Sequence, residues 1–198
     1  ELNREYLSRS YLQWAFPQLF TGAVKASSKK QSVPKALIWA LIRQESAFRV
    51  RAVSPSRAYG LMQLLLPTAR EVAGWLKIKS FSGVSDLMNP ETNISMGTHY
   101  LARMIRKYKG VVPLALASYN VGPGNLDRWL RHRKVLKKWK KMQGDPIDDL
   151  WMDELPWEET SFYVKAVMRN YLLYQMVHEQ LNKLQKPIWT FPNPLEAS

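Results

Sequence analysis

Glu45 closes an apolar run, Ala36-Leu37-Ile38-Trp39-Ala40-Leu41-Ile42-Arg43-Gln44-Glu45-Ser46. At helical spacing Ile38, Leu41, Ile42 and Glu45 share one face, so the carboxylate is expected where the helix buries its apolar stripe. Desolvation there raises a glutamate pKa, and a carboxyl group that keeps its proton near neutral pH can hand it to a leaving group. Taken alone, a glutamate near a helix end is more often a solvated or capping residue, so the case for chemistry rests on its company. Gly60-Leu61-Met62-Gln63 permits a close backbone turn, after which Met62 can wall a groove or pack in the core, and Gln63 offers a hydrogen-bonding amide. Tyr119 and Asn120 place a hydroxyl and an amide beside the glycines of Tyr119-Asn120-Val121-Gly122-Pro123-Gly124, where Asn120 can serve a ligand or simply form the turn. His99, His132 and His178 are scattered without ligand spacing and the chain has no cysteine, so neither a metal nor another cofactor is expected.

The elements that must position these groups read as helices. Pro34 marks the start of the helix leading to Glu45, with Ser32 as a nearby cap, and Pro17, Pro67 and Pro90 mark similar starts. From Asn89-Pro90-Glu91 onward, Ile94, Gly97, Leu101, Met104 and Tyr108 form a core-facing stripe. Val164, Val167, Met168, Tyr171, Leu172 and Gln175 continue that pattern in a long late helix. Residues 50–59 and 79–89 break the helical period as polar loops, and alternating strand patterns are scarce, so the fold class is mainly α with minimal β structure. The 198 residues suit one domain, with residues 1–15 as a helical lead-in and 186–198 as an extended, proline-rich tail.

The formal charge of +13 asks for a polyanionic partner: nucleic acid, anionic lipid or cell-wall polymer. Basic residues are densest in residues 128–141, interrupted by Trp129 and Trp139, a pattern met in nucleic-acid binders and more often in solvated helix faces. Asp145, Asp148, Asp149, Asp153, Glu154, Glu158 and Glu159 follow at once and interrupt any phosphate track, so no nucleic acid is expected. No apolar run is long enough to cross a bilayer, and no secretory signal opens the sequence.

Four strings in order resemble one family, the lytic transglycosylases of the soluble murein type, relatives of goose-type lysozyme. Glu45-Ser46 looks like the family's catalytic pair, and Gly60-Leu61-Met62-Gln63 follows it at the family's offset of fifteen residues, ahead of Pro67-Thr68-Ala69. Ser118-Tyr119-Asn120-Val121-Gly122-Pro123-Gly124 is similar to its Ala-Tyr-Asn-Ala-Gly-Pro-Gly stretch. Leu155-Pro156-Trp157-Glu158-Glu159-Thr160-Ser161-Phe162-Tyr163-Val164 resembles its Ile-Pro-aromatic segment. Arg57 stands where the family often has glycine, Ser118 replaces an alanine, and Ser161 replaces an arginine.

The resemblance implies a lysozyme-like helical domain with a substrate groove. It implies that Glu45 is the catalytic acid and that Tyr119 lies near it. It further implies that Ser54 bonds a substrate acetamido group, with loop capping as the alternative. Glu159 would contact sugar or peptide, or else cap the late helix, and Tyr163 would line the same groove or pack. One carboxylate suffices if the substrate's acetamido oxygen supplies the second catalytic group. The implied reaction cleaves the bond between N-acetylmuramic acid and N-acetylglucosamine and closes a 1,6-anhydro ring without water. A hydrolytic muramidase on the same fold, or a basic wall- or nucleic-acid-binding module, are the alternatives. Peptidoglycan strands are the implied partner, a periplasmic or wall-associated location follows from that substrate, and a monomer is assumed.

Overall fold

The computed structural model describes residues 9–132, 152 and 155–179. The basic run beyond His132, the acidic stretch from 145 to 154, the first eight residues and the 186–198 tail lie outside the described residues. Helices come in the order α1 (Arg9–Ala15), α2 (Thr21–Gln31), α3 (Lys35–Ser46), α4 (Leu66–Leu76), α5 (Val84–Leu87), α6 (Pro90–Lys107), α7 (Val112–Val121), α8 (Pro123–His132) and α9 (Glu158–His178). A two-stranded antiparallel ladder, β1 (Ala58–Tyr59) and β2 (Leu64–Leu65), pairs Ala58 with Leu65 and Tyr59 with Leu64. Among the described residues this fits the expected mainly helical class, and no helix is long and apolar enough to cross a membrane.

The described chain falls into two compact units, residues 9–99 with 168–179 and residues 100–167. In the first unit α3 is buried on every side from Ala36 to Ile42, not along a single stripe, because its sequence there holds no polar side chain. Full burial of Ile38, Leu41 and Ile42 contributes about 1.5–3 kcal/mol apiece. Tyr174 of α9 is also fully buried, stacked on Trp39 at 6.1 Å, edge-on to Phe16 at 5.4 Å, and donating its hydroxyl to the Pro17 carbonyl at 2.9 Å. His178 Nε2 donates to the Phe16 carbonyl at 2.7 Å, and Trp39 Nε1 to that of Leu19 at 2.8 Å. These bonds anchor the irregular backbone between α1 and α2 to helices α3 and α9.

Pro67 lies in the first turn of α4 and Pro90 opens α6, as their fixed φ favours. Pro34 immediately precedes α3. Two expectations are corrected. Pro17 lies before α2 begins at Thr21, and Ser32 does not cap α3: with φ of 54° it closes α2, its N–H bonding the Ser28 carbonyl. The stripe from Ile94 to Tyr108 is buried as expected.

In the second unit α7 is buried from Val112 through Tyr119, as an apolar-all-round helix must be. Amphipathic α8 packs on it and buries Leu126, Trp129 and Leu130 at spacings of three and one. The two helices are separated only by Gly122, whose φ of 83° suits glycine.

Candidate functional site

Glu45 lies in the last turn of α3, where the helix leaves the core. Ile42 is fully buried, Glu45 is half-buried, and Ser46 behind it is buried with its hydroxyl bonded to the Ile42 carbonyl at 3.1 Å. Ala47 ends the helix in the left-handed conformation, its N–H returning to the Arg43 carbonyl at 3.1 Å. The next stretch turns repeatedly: Ala47, Phe48, Arg57, Gly60 and Gln63 all have positive φ. For the four non-glycine residues this costs about 1–2 kcal/mol each, a strain that the surrounding structure must hold in place. Arg57, where the resemblance expects glycine, has φ of 58°, so the loop keeps a glycine-like bend without the glycine.

Asn93 of α6 does much of the holding. Fully buried, it accepts from the Met62 N–H at 2.7 Å and donates to the carbonyls of Tyr59 and Leu87, each at 2.9 Å. Gly60 lies so close beneath it that a Cβ there would strike the Leu87 carbonyl and the Asn93 amide, and its φ of 77° would strain any other residue as well. Asn93 was not among the residues singled out from sequence. Its one signal was a polar residue adjoining the buried position Ile94 on a helix.

The four candidate residues of this unit now have distinct positions. Ser54 Oγ accepts from the Ala58 N–H at 3.0 Å, the loop-capping alternative, and keeps its own proton for donation. Gln63 donates through Nε2 to the carbonyls of Gly60 at 2.8 Å and Ala52 at 3.2 Å, so its nitrogen braces the loop. Met62 does not wall a groove. It is fully buried, its sulfur accepts from Thr98 Oγ1 at 3.8 Å, and a Cβ on Gly97 would approach that sulfur to 2.6 Å. Of the other acids in this unit, Glu71 and Glu91 are exposed. Asp86 is committed to Ser82, whose N–H and hydroxyl hold its carboxyl below the usual value.

In the second unit Tyr119 and Asn120 occupy the last turn of α7, not a loop. Tyr119 is buried with its ring 5.2 Å from that of Tyr100, whereas Asn120 is exposed and its Oδ1 accepts from Thr160 Oγ1 at 2.6 Å. Thr160 is buried and was not singled out as a functional residue, although it adjoins Glu159 in the late motif. Glu159 is exposed in the first turn of α9, where the helix dipole favours a carboxylate. Tyr163, one turn later, is buried, which fits packing. Ser118, at the position where an alanine was expected, is fully buried and donates to the Met104 sulfur at 3.0 Å. Tyr108 donates to Asp127 Oδ1 at 2.9 Å, and burial, with the nearby carboxylate adding to it, pushes its hydroxyl well above the usual range, so it acts as a neutral donor.

The described residues thus form a mainly helical domain with a glutamate at the end of a buried helix, followed by a strained and braced loop. Residues 22–142 match the family model described as the transglycosylase SLT domain, and the chain belongs to that family. It is 31% identical over 159 residues to the soluble lytic murein transglycosylase of Escherichia coli, which covers 80% of this chain and 23% of that protein. It is 39% identical over 124 residues to a membrane-bound lytic murein transglycosylase F of Vibrio cholerae, covering 59% of this chain and 20% of the relative. The crystal structure of the 70 kDa soluble lytic transglycosylase of Escherichia coli superposes with a TM-score of 0.72 at 30% identity, over 84% of this chain and 25% of that one. An inactive glutamate-to-glutamine mutant of the lytic transglycosylase Slt from Pseudomonas aeruginosa gives 0.73 at 30% identity, over 91% and 27%. The chain thus spans about a quarter of the length of these relatives.

Proposed function

We propose that the chain is a peptidoglycan lytic transglycosylase and that Glu45 is its only acid and base. Glu45 protonates the glycosidic oxygen between N-acetylmuramic acid and N-acetylglucosamine while the acetamido oxygen of the muramyl residue stabilises the anomeric carbon. As a carboxylate it then accepts the proton of the same sugar's 6-hydroxyl. That oxygen closes on the anomeric carbon to give the 1,6-anhydro end, and no water is consumed.

The observation that carries this reading is the position of Glu45, the sole acid of α3, half-buried at the negative end of a helix dipole. Half burial leaves the carboxyl within reach of a substrate while the buried helix behind it fixes its position, which suits a proton donor. Family membership supports it, as does the loss of activity in the Pseudomonas aeruginosa relative when one glutamate becomes glutamine. Substrate contacts are assigned to Ser54 through its hydroxyl proton, to Gln63 through Oε1, and to Tyr119, Asn120 and Glu159. Met62 and Tyr163 support the backbone and the helix that carry these contacts. A basic chain of net charge +13 is held near a polymer rich in lactyl and peptide carboxylates, in the periplasm or at the wall.

Digestion of purified sacculi read by mass spectrometry tests this. Wild type should release fragments lighter by one water than reducing-end products, and Glu45→Gln should lower the rate by about 10²-fold or more while leaving the melting temperature in place. Reducing ends in place of anhydro ends would identify a hydrolase, and full activity in Glu45→Gln would remove Glu45 from the chemistry.

A further inference from the structure

The first unit carries an open groove of about 690 Å³ that none of these roles uses. It is lined by Tyr11 and Trp14 of α1, Arg43 near the end of α3, Phe48, and Arg169 and Asn170 of α9. Gln44, the residue before Glu45, also borders it, so the groove adjoins the same helix end as the acid.

Three features of the groove await a ligand. Trp14 is 77% exposed, with the Tyr11 ring 6.0 Å away, an aromatic surface on which a ligand can pack. Arg43 is held in one pose by its bond to the Ala15 carbonyl and by the Phe16 ring 4.5 Å beneath its guanidinium, yet those contacts occupy only part of its donors. Among the described residues neither Arg43 nor Arg169 pairs with a carboxylate. The third feature is Asn170. It is only 5% exposed, and among the described residues its amide makes no hydrogen bond. A buried amide left unpaired costs about 1–3 kcal/mol, a cost that a bound partner would remove.

The combination selects among ligands. A side-chain amide offers one donor group and one acceptor, the complement of a peptide bond, and two guanidinium groups that pair with no carboxylate among the described residues call for carboxylates. Neutral sugar would satisfy the aromatic surface and leave both charges idle. A nucleic-acid strand would need a longer basic track than two arginines.

We propose that this groove binds an acidic peptide, the stem peptide carried by peptidoglycan, with Asn170 pairing to a peptide bond and Arg43 and Arg169 to carboxylates. The identity of the peptide rests on the function proposed above; the binding itself does not. Isothermal titration of the whole chain with N-acetyl-L-alanyl-D-glutamate, with its uncharged diamide and with the N-acetylglucosamine tetramer tests it. The dipeptide should bind, and the diamide, which loses the partners of both arginines, should bind at least about tenfold more weakly. Arg169→Glu, at an exposed position, and Asn170→Ala should each weaken the dipeptide by a similar factor and leave the tetramer titration unchanged. Asn170→Ala should also keep or raise the melting temperature, since the amide it removes has no partner. Absence of dipeptide binding, dipeptide binding indifferent to both substitutions, equal losses for dipeptide and tetramer, or a melting temperature lowered by Asn170→Ala would each overturn the proposal. Failure of wild type to make anhydro ends would instead overturn the transglycosylase reading and leave these titrations standing.

Discussion

The loop that follows Glu45 and the helix end that carries Tyr119 and Asn120 are fastened by different means. In the loop, side chains hold backbone: Asn93 bonds the main chain of Tyr59, Met62 and Leu87, Gln63 that of Gly60 and Ala52, and Ser54 that of Ala58. At the helix end, side chains hold side chains: Thr160 bonds Asn120, Ser118 bonds Met104, and Tyr108 and Lys107 both bond Asp127. The cause is local structure. An α-helix satisfies most of its own N–H and C=O groups, so Ser118, Asn120 and Asp127 on α7 and α8 are left free to meet other side chains. Between α3 and α4 a two-residue ladder, one bridge and scattered turn bonds satisfy part of the backbone, and side chains complete the rest. Substitutions in the loop should therefore cost fold stability, and substitutions at the helix end should cost the aim of one side chain.

Asn93→Ala tests the first half of that contrast and carries the largest expected effect. It strips partners from the Met62 N–H and from two carbonyls in a fully buried place. The cost should be about 3–5 kcal/mol, at the upper end of single substitutions. Thermal unfolding should then begin about 10 °C lower for a chain of this size. Asn93→Asp, which keeps the acceptor for Met62 but loses both donors, should be destabilised too. A stable Asn93→Ala would show that the ladder and the turns hold the loop by themselves.

Thr160→Val tests the second half with a smaller effect. The swap preserves shape and loses the 2.6 Å bond to Asn120 Oδ1. Asn120 is exposed and can turn to water, so stability should fall by only about 1 kcal/mol or less. If Asn120 contacts sugar, KM for glycan strands should rise several-fold with kcat nearly unchanged, and Thr160→Ser should restore it. A Thr160→Val protein that unfolds as readily as Asn93→Ala would erase the distinction between the two regions.

The same contrast explains what was legible in the amino-acid sequence. Helices announced themselves wherever a proline start preceded a buried stripe, as in α4 and α6, because both signals are local. The place of Glu45 at the end of a buried helix was legible for the same reason. The bracing was not: Asn93 lies 31 residues from Met62 and Thr160 lies 40 from Asn120, and no periodicity links partners so far apart. Met62 stayed open between groove and core for a related reason. Its motif position says that it matters but not whether its side chain points to solvent or to Gly97, which is decided by the packing of α6. The ladder of β1 and β2 escaped notice because two residues cannot display an alternation.

The connection from residue 79 to residue 89 repeats the side-chain-to-backbone device at the surface, and there the effect should be smallest. Asp86 Oδ2 accepts from the Ser82 N–H at 2.6 Å and from the Ser82 hydroxyl at 3.0 Å. The N–H first and the hydroxyl next hold the carboxyl below its ordinary value of 3.8, against a smaller opposing contribution from burial. Because the folded pKa is depressed, the stabilisation is present above 3.8 and is lost as pH falls through the folded value. The site is open to water, so the loss should stay local: the Ser82 amide should lose protection from hydrogen exchange in acid while protection in α6 persists. Asp86→Asn should show the low protection at every pH. If acid instead released the amides of Met62 and Ser82 together, the surface connection and the loop after Glu45 would be one cooperative structure, and the device would matter more at the surface than its exposure suggests.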